Sequence, residues 1–386
     1  MSLAKRVGFV RFNAMDSSLP PPYDRPPPVM SQASPVRARR GGWGWIITTL
    51  ILVAVVVFLL FGRITDSLLG LGGGGWESDG DLEEVVVEQH RSPNKIAVIE
   101  VSGIISSQAW DGSGRNMVRL IRDQLKMAQE DPDVRAVVLK VDSPGGEVMA
   151  SDDIARSVRD FQGDGSDGDE GKPVVAVMGG VAASGGYYIS APARWIVANE
   201  MTITGSIGVI MHSFNYRGLL DKVGLYPQVF KSGRLKDMLS GSKKMEDVDP
   251  EEKQIIQDMV NATYERFKSV VLDGRAKAWK DNSGDGRELV SDWVRYADGR
   301  VITGAQAYEF GFVDELGTSE TAVDRAMELA GISEANLIEY REPVRLFSFL
   351  NLLGESRARG VKLDLGLDFP RLETGRLYFI SSTVLF

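Results

Sequence analysis

The sequence predicts an α/β fold with largely parallel strands, preceded by one transmembrane helix. From about residue 94 onward, short β-branched runs alternate with segments whose apolar residues recur at helical spacing. This alternation is typical of α/β architecture. Residues 43–62 form an uncharged apolar run, about as long as the roughly 20 residues that a helix needs to cross a bilayer.

The charges on either side of this run predict its orientation. Seven basic and two acidic residues precede it, whereas residues 63–93 carry two basic and seven acidic residues. The positive-inside rule therefore places the N-terminus in the cytoplasm and the rest of the chain outside it, as in a single-pass protein of the cell (inner) membrane. A cleaved signal peptide is the alternative, but a long proline-rich segment precedes the run and no small-residue cleavage site follows it.

Composition divides the chain into five predicted regions. They are a proline-rich cytoplasmic tail (1–42), the transmembrane helix (43–62), a glycine-rich and acidic linker (63–93), the main domain (94–331) and a C-terminal extension (332–386). Within the main domain, the glycine and acid run at 163–171 fits a solvated loop better than a calcium site, because it lacks EF-hand spacing. The last residues, "GRLYFISSTVLF", are β-prone.

Five strands are predicted in the main domain because each is a short, mostly apolar run. They are "KIAVIEVSG", "VRAVVLKVDS", "KPVVAVMGG", "ARWIVANE" and "GSIGVIM". Three helices are predicted between or after them. The first has apolar residues at helical spacing from Met117, the second is "SDDIARSVRDF" with Ser151 as its N-cap, and the third covers 249–279 with Asp249 as its cap and Pro250 in its first turn.

Charge and composition exclude several functions. The formal net charge is −9, so the chain lacks the basic footprint typical of nucleic-acid binding. It contains no cysteine, which excludes disulfides, thiolate zinc sites and cysteine nucleophiles. No cofactor and no metal site are predicted.

One serine lies in an unusually dense run of small residues, "GGVAASGGYYIS" at 179–190. If Ser184 is a nucleophile, it needs a base to take its proton. The chain has two histidines, His90 in the linker and His212 in a predicted strand, and no G-x-S-x-G motif. Because neither histidine is a convincing base, lysine is the remaining candidate.

A Ser-Lys pair requires a neutral lysine, whose pKa must be lowered by burial and by the absence of a nearby carboxylate. The segment 230–241, "FKSGRLKDMLSG", offers Lys231 and Lys236, and the residues alone leave both open. Acyl transfer also needs oxyanion donors. The turn "VDSPGGEV" at 141–148 could supply one, although a plain strand-to-helix turn explains it equally well.

Five ordered segments together resemble the signal peptide peptidase A family of membrane-anchored serine proteases. They are "SPGG" at 143–146, "AASGGYYIS" at 182–190, "TGSIGVI" at 204–210, "KSGRLKD" at 231–237 and "DGRVITGAQAYEFGFVDELG" at 298–317. The resemblance covers about residues 94–331. It implies a fold like that of crotonase and the caseinolytic protease, built from repeated ββα units.

The resemblance also implies a role for each matching residue. Ser184 matches the nucleophile, Lys236 the general base, Gly146 and Gly185 the oxyanion donors, and Ser206 the hydroxyl that orients the lysine amine. A carboxylate, Asp237, directly follows the lysine. In an extended segment it would point to the opposite face.

Each catalytic motif occurs once, as in the short form of the family. The resemblance then implies a homo-octamer whose serine and lysine come from neighbouring protomers, acting on remnant signal peptides and on misfolded secretory or membrane proteins. Two alternatives remain. A crotonase-type acyl-CoA enzyme is disfavoured by the predicted location outside the cytoplasm, and a non-catalytic membrane scaffold is disfavoured by the presence of Ser184, Lys236 and Ser206.

Overall fold

The computed structural model describes residues 82–109, 116–163, 171–342 and 376–381. The predicted cytoplasmic tail, the transmembrane helix at 43–62 and most of the linker and acidic loop lie outside these residues. In the part of the chain that is described, no helix is both long and apolar enough to cross a membrane.

Within the described residues, nine strands form one mixed sheet at the centre of the domain. These are β1 (Glu83–Glu88), β2 (Lys95–Ser102), β3 (Val134–Ser143), β5 (Val174–Ala183), β6 (Trp195–Ala198), β7 (Ile203–Gly205), β9 (Val301–Thr303), β10 (Glu315–Leu316) and β11 (Asn336–Arg341). Their order is β1-β11-β2-β3-β5-β6-β10, with β7 paired to β5 and β9 to β7. A second sheet has the order β4-β12-β8, from β4 (Gly145–Glu147), β12 (Leu377–Ile380) and β8 (Ile210–Met211).

The helices of the described residues cover both faces of the large sheet. They are α1 (Met117–Glu130), α2 (Val148–Gln162), α3 (Gly185–Ser190), α4 (Arg217–Lys222), α5 (Pro250–Asp281), α6 (Gly304–Glu309) and α7 (Ser319–Leu329), with 3-10 turns at Met245–Asp247 and Trp293–Tyr296. On one face, Ile121, Ile154 and Phe267 pack in the larger core. On the other, Ala322 and Ala326 of α7 pack against the strands. Two covered faces explain why β3 is an almost continuous apolar run.

The predicted α/β class is confirmed. Strands β2, β3, β5 and β6 pair in parallel in sequence order, and β11 extends the parallel set on the far side of β2. The antiparallel pairs of the large sheet are β1 with β11 and β7 with β9. The finer prediction of repeated ββα units stays a prediction.

One predicted helix cap is correct and one is wrong. At α5, the Asp249 carboxylate accepts a hydrogen bond from the Glu251 amide at 2.9 Å, which satisfies a free donor of the first turn. Helix α2 instead begins at Val148 with Glu147 at its N-cap, because the turn at Gly145 and Gly146 is already complete there. The predicted cap, Ser151, lies inside the helix and donates its hydroxyl to the Glu147 carbonyl at 2.9 Å.

The folded body extends beyond residues 94–331 at both ends. Strand β1 lies in the segment predicted to be a linker, and it pairs with β11 of the predicted C-terminal extension. Strand β11 in turn pairs with β2. Without them, β2 would present a row of unpaired backbone groups at an open edge.

A buried ion pair joins α5 to the strand region before β10. Arg275 is 1% exposed, and its guanidinium binds the Asp314 carboxylate. It also donates to the carbonyls of Ala193 at 3.0 Å and Ala191 at 3.2 Å. These bonds fix the long helix beside the loop that follows α3.

Candidate active site

Ser184 joins the end of β5 to the start of α3 in a strained conformation. Its φ is 55° and its ψ is −114°, a region that residues with a side chain rarely adopt. Its amide donates to the Gly205 carbonyl at 2.8 Å, and its carbonyl accepts from the Tyr188 amide at 2.8 Å. These two bonds hold the sharp strand-to-helix turn, and such strain is common at functional sites.

The Ser184 hydroxyl is buried and unbonded. The residue is 1% exposed, and its Oγ has no hydrogen-bond partner among the described residues. An unsatisfied buried hydroxyl lowers stability, so its presence needs a reason. A role as nucleophile explains the unbonded hydroxyl, because a nucleophile must stay free to bond a base or a substrate.

Two glycine amides converge beside this serine. A Cβ on Gly145 would lie 2.7 Å from the Gly185 nitrogen, and a Cβ on Gly185 would lie 3.1 Å from the Gly146 nitrogen. Gly146 itself approaches the segment that follows β2 so closely that its Cβ would lie 1.9 Å from the Ile105 carbonyl oxygen. Paired backbone donors next to a serine are what an oxyanion hole requires.

Ser206 lies next to Ser184 because their strands pair in parallel. The register sets Ala183 opposite Gly205, so the two serines follow at adjacent strand ends. Ser206 also has a positive φ, 51°, and is 6% exposed. Its amide donates to the Arg300 carbonyl at 2.7 Å, which fixes this second turn.

Lys236 is not hydrogen-bonded to the Ser184 hydroxyl in the single chain. Its side chain is exposed on the segment that follows α4, and Ser184 Oγ has no partner among the described residues. The structure therefore brings together Ser184, Gly185, Gly146 and Ser206, whereas Lys236, the fifth predicted residue, is exposed and makes no hydrogen bond to Ser184 Oγ.

The segment around Lys236 is a series of turns, so the opposite-face geometry of an extended segment does not apply to Asp237. The amide of Lys236 donates to the Gly233 carbonyl at 3.1 Å. Asp237 still does not pair with Lys236, because its carboxylate binds Lys231 at 2.7 Å and Lys243 at 3.4 Å. The hydrogen bond from Lys231 holds the pKa of Asp237 below its usual range. Because the ion pair engages the Lys231 amine, Lys236 is the better candidate base.

Neither histidine contacts the serine. His90 lies at the surface, with its ring nitrogens 3.0 Å from a Glu88 oxygen and 3.8 Å from a Glu334 oxygen. The prediction that His212 lies in a strand is wrong, because β8 ends at Met211 and His212 is exposed.

Three residues around the turns of Ser184 and Gly146 were not predicted from the sequence, namely Glu147, Tyr188 and Phe267. Glu147 follows Gly146, and its carboxylate accepts bonds from Ser107. The rings of Tyr188 and Phe267 lie 4.9 Å apart. Tyr188 stands within the "GGYYIS" run, which was the one available signal.

Known proteins resemble this chain over most of the described domain. The family model for Peptidase family S49 matches residues 166–333. The chain is 35% identical over 308 residues to a protein of Enterococcus faecium named as a signal peptide peptidase SppA, an alignment that covers 78% of this chain and 83% of that protein. It is 33% identical to Protease 4 of Haemophilus influenzae, over 63% of this chain and 36% of that protein.

A plant protein gives a further match. The chain is 30% identical to the chloroplastic serine protease SPPA of Arabidopsis thaliana, over 65% of this chain and 35% of that protein. The serine at a strained turn and the 35% identity across most of the Enterococcus protein both indicate a serine protease of this family. The chain therefore belongs to peptidase family S49, the signal peptide peptidase A family of serine proteases.

Proposed function

We propose that this chain is a membrane-anchored endopeptidase in which Ser184 is the nucleophile and Lys236 is the general base. The observation that carries the proposal is the buried, unbonded Ser184 hydroxyl at a strained turn beside the amides of Gly146 and Gly185. The membrane anchor is the apolar run at 43–62.

The reaction follows the usual course of serine acyl transfer. Ser184 Oγ attacks the carbonyl carbon of the scissile bond while the neutral Lys236 amine takes its proton. The amides of Gly146 and Gly185 stabilise the oxyanion. The amine then protonates the departing nitrogen, and water hydrolyses the ester. The Ser206 hydroxyl orients the amine.

In this proposal Lys236 acts on the serine of a neighbouring copy. It lies on a segment whose large apolar side chains are exposed, including Phe214, Leu219, Val223, Leu225, Tyr226, Val229 and Phe230. Soluble monomers rarely expose so large an apolar patch. Packing of this segment against the next protomer, in a homo-octamer as the family implies, would cover the patch and deliver the amine.

The proposed substrates are remnant signal peptides and misfolded secretory or membrane proteins. One relative is named as a signal peptide peptidase, and a body tethered close to a bilayer would meet such apolar peptides. An extended peptide would add as a strand beside the site.

The test is hydrolysis of a fluorogenic apolar peptide at matched oligomeric state. Ser184→Ala and Lys236→Ala should each lower turnover by at least about a thousandfold. Lys231→Ala is the matched control, because that lysine is paired with Asp237, and it should retain activity. An active Lys236→Ala enzyme with an inactive Lys231→Ala enzyme would reassign the base.

A mixing experiment tests the shared site. Chains carrying Ser184→Ala and chains carrying Lys236→Ala are combined in equal amounts before assembly. If each site takes its serine and lysine from different copies, random assembly restores about a quarter of wild-type activity. No recovery in mixed assemblies would show that both residues must come from one chain.

A further inference from the structure

Glu147 is a buried carboxylate beside the oxyanion turn, and the proposed reaction does not use it. The residue directly follows Gly146 and is 7% exposed. A buried charge lowers stability unless it is paired and hydrogen-bonded, so the partners of this carboxylate indicate its role. Three of its hydrogen bonds come from the segment that follows β2. Residues 103–107 of that segment are called the clamp segment below.

The clamp segment pairs with β4, the strand that carries Gly146. Ile105 forms a parallel bridge with Gly146. The Ile105 amide donates to the Gly145 carbonyl at 2.9 Å, and the Ile105 carbonyl accepts from the Glu147 amide at 2.8 Å. These two bonds fix the residues on either side of Gly146.

This pairing sets the direction of the Gly146 amide. A trans peptide group directs its C=O and its N–H to opposite sides, and the described residues include no cis peptide. Because the Gly145 carbonyl bonds to Ile105, the N–H of the same peptide group, which belongs to Gly146, points away from Ile105. The Gly146 nitrogen lies close to Gly185, whose Cβ would be 3.1 Å from it. The clamp segment therefore aims the proposed oxyanion donor.

The Glu147 carboxylate holds the far end of the clamp segment. One of its oxygens accepts from the Ser107 amide at 3.2 Å and from the Ser107 hydroxyl at 2.5 Å. The other accepts from the Ser106 hydroxyl at 3.2 Å and from the Arg376 guanidinium at 2.9 Å. Burial opposes ionisation of Glu147, but the bonds from Ser107 and the charge of Arg376 hold its pKa below the usual range. The charged carboxylate can accept all of these bonds at once.

We propose that Glu147 is a positioning residue, whose carboxylate holds the clamp segment against β4 and thereby keeps the Gly146 amide aimed at the oxyanion. This rests on the proposed function, in which Gly146 is an oxyanion donor. The effect falls on the transition state, because the bond from such a donor strengthens only as negative charge develops on the carbonyl oxygen.

The first test separates turnover from substrate binding in assemblies of the full chain. Glu147→Ala should lower kcat for a fluorogenic apolar peptide by about 10- to 100-fold and change KM by less than about threefold. The physical reason is that a misdirected donor weakens transition-state stabilisation but leaves the bound peptide in place. An unchanged kcat would overturn the inference.

Asp131→Ala is the matched control. The Asp131 carboxylate also accepts from a backbone amide, that of Asp133 at 2.8 Å, and from a basic side chain, that of Lys95 at 2.9 Å. Lys95 begins β2, whereas the clamp segment follows the end of β2. We expect this variant to lose stability and to keep its kcat, and an equal loss of kcat in both variants would overturn the inference.

A transition-state mimic distinguishes positioning from a general loss of structure. When a peptide aldehyde binds, Ser184 Oγ adds to its carbonyl carbon, the hydroxyl proton passes to the Lys236 amine, and the carbonyl oxygen becomes the oxyanion. Glu147→Ala should weaken inhibition by the aldehyde at least about tenfold. The corresponding peptide alcohol forms no such adduct and should inhibit both proteins equally. Equal weakening of the two inhibitors would overturn the inference.

Wild-type activity distinguishes failure of this inference from failure of the proposed function. If wild type cleaves the peptide in a Ser184-dependent manner and Glu147→Ala cleaves it equally fast, only this inference fails. If wild type cleaves no peptide, the proposed function fails together with the oxyanion role, and hydrogen exchange decides whether Glu147 holds the clamp segment. Glu147→Ala should then speed amide exchange at 103–107 at least about tenfold and leave exchange in β2 unchanged. Equal exchange at 103–107 in both proteins would overturn that contact.

Discussion

The unbonded hydroxyl of Ser184 predicts that the nucleophile reduces the stability of its own domain. A buried hydroxyl without a partner costs about 1–3 kcal/mol. Alanine removes the hydroxyl and keeps the Cβ and the same backbone conformation. We therefore expect Ser184→Ala to raise the free energy of unfolding by about 1–2 kcal/mol, which corresponds to a rise in Tm of roughly 2–8 °C for a domain of this size.

The assay is calorimetric unfolding in a Lys236→Ala background, so that no neighbouring amine can bond the hydroxyl. Ser190→Ala is the matched control. Ser190 is equally buried and lies in the helix that Ser184 starts, but its hydroxyl donates to the Gly186 carbonyl at 2.8 Å. We expect that control to lower stability by about 0.5–1.5 kcal/mol. An unchanged Tm for Ser184→Ala, or a decrease like that of the control, would show that the hydroxyl does not destabilise the domain.

Three further predictions test the surroundings of the site. Gly146→Ala should abolish turnover and lower the free energy of unfolding, measured by urea titration, by about 1–3 kcal/mol, because the new Cβ would collide with the backbone at Ile105. Gly218→Ala is the control, because Gly218 has open space around it, and it should change neither quantity. Arg275→Ala should lower the free energy of unfolding by about 3–5 kcal/mol because it leaves a buried carboxylate unpaired. The exposed Arg300→Ala should lower it far less, and similar losses for the two variants would contradict the role of burial. The lowered pKa of Glu147 should stabilise the fold fully above the usual glutamate range and progressively less as pH falls through the lowered value. Glu147→Gln should remove the part of the acid sensitivity that comes from the Glu147 carboxyl group. Identical pH–stability curves for the wild type and the variant would contradict this contribution of Glu147.

Features that depend on neighbouring residues could be predicted from the sequence. The apolar runs gave β2, β3 and β5, and the Asp249-Pro250 pair gave the start of α5, because strand period and helix capping are local properties. The signal for Ser184 was also local, since a dense run of small residues allows close backbone approach. Where such local reasoning failed, as at Ser151, the turn before the helix had already been completed by other residues.

Features that depend on how side chains and strands meet in the folded domain could not be predicted from the residues alone. The choice of Lys236 over Lys231 rests, in this structure, on where the Asp237 carboxylate points. The β-prone character of the last residues was visible, but their position beside Gly146 joins segments more than 200 residues apart, as the 229-residue separation of Arg376 and Glu147 shows. Local patterning specifies which segments form strands, whereas the pairing of distant strands depends on which open edge and which apolar pocket the folded domain leaves to be filled.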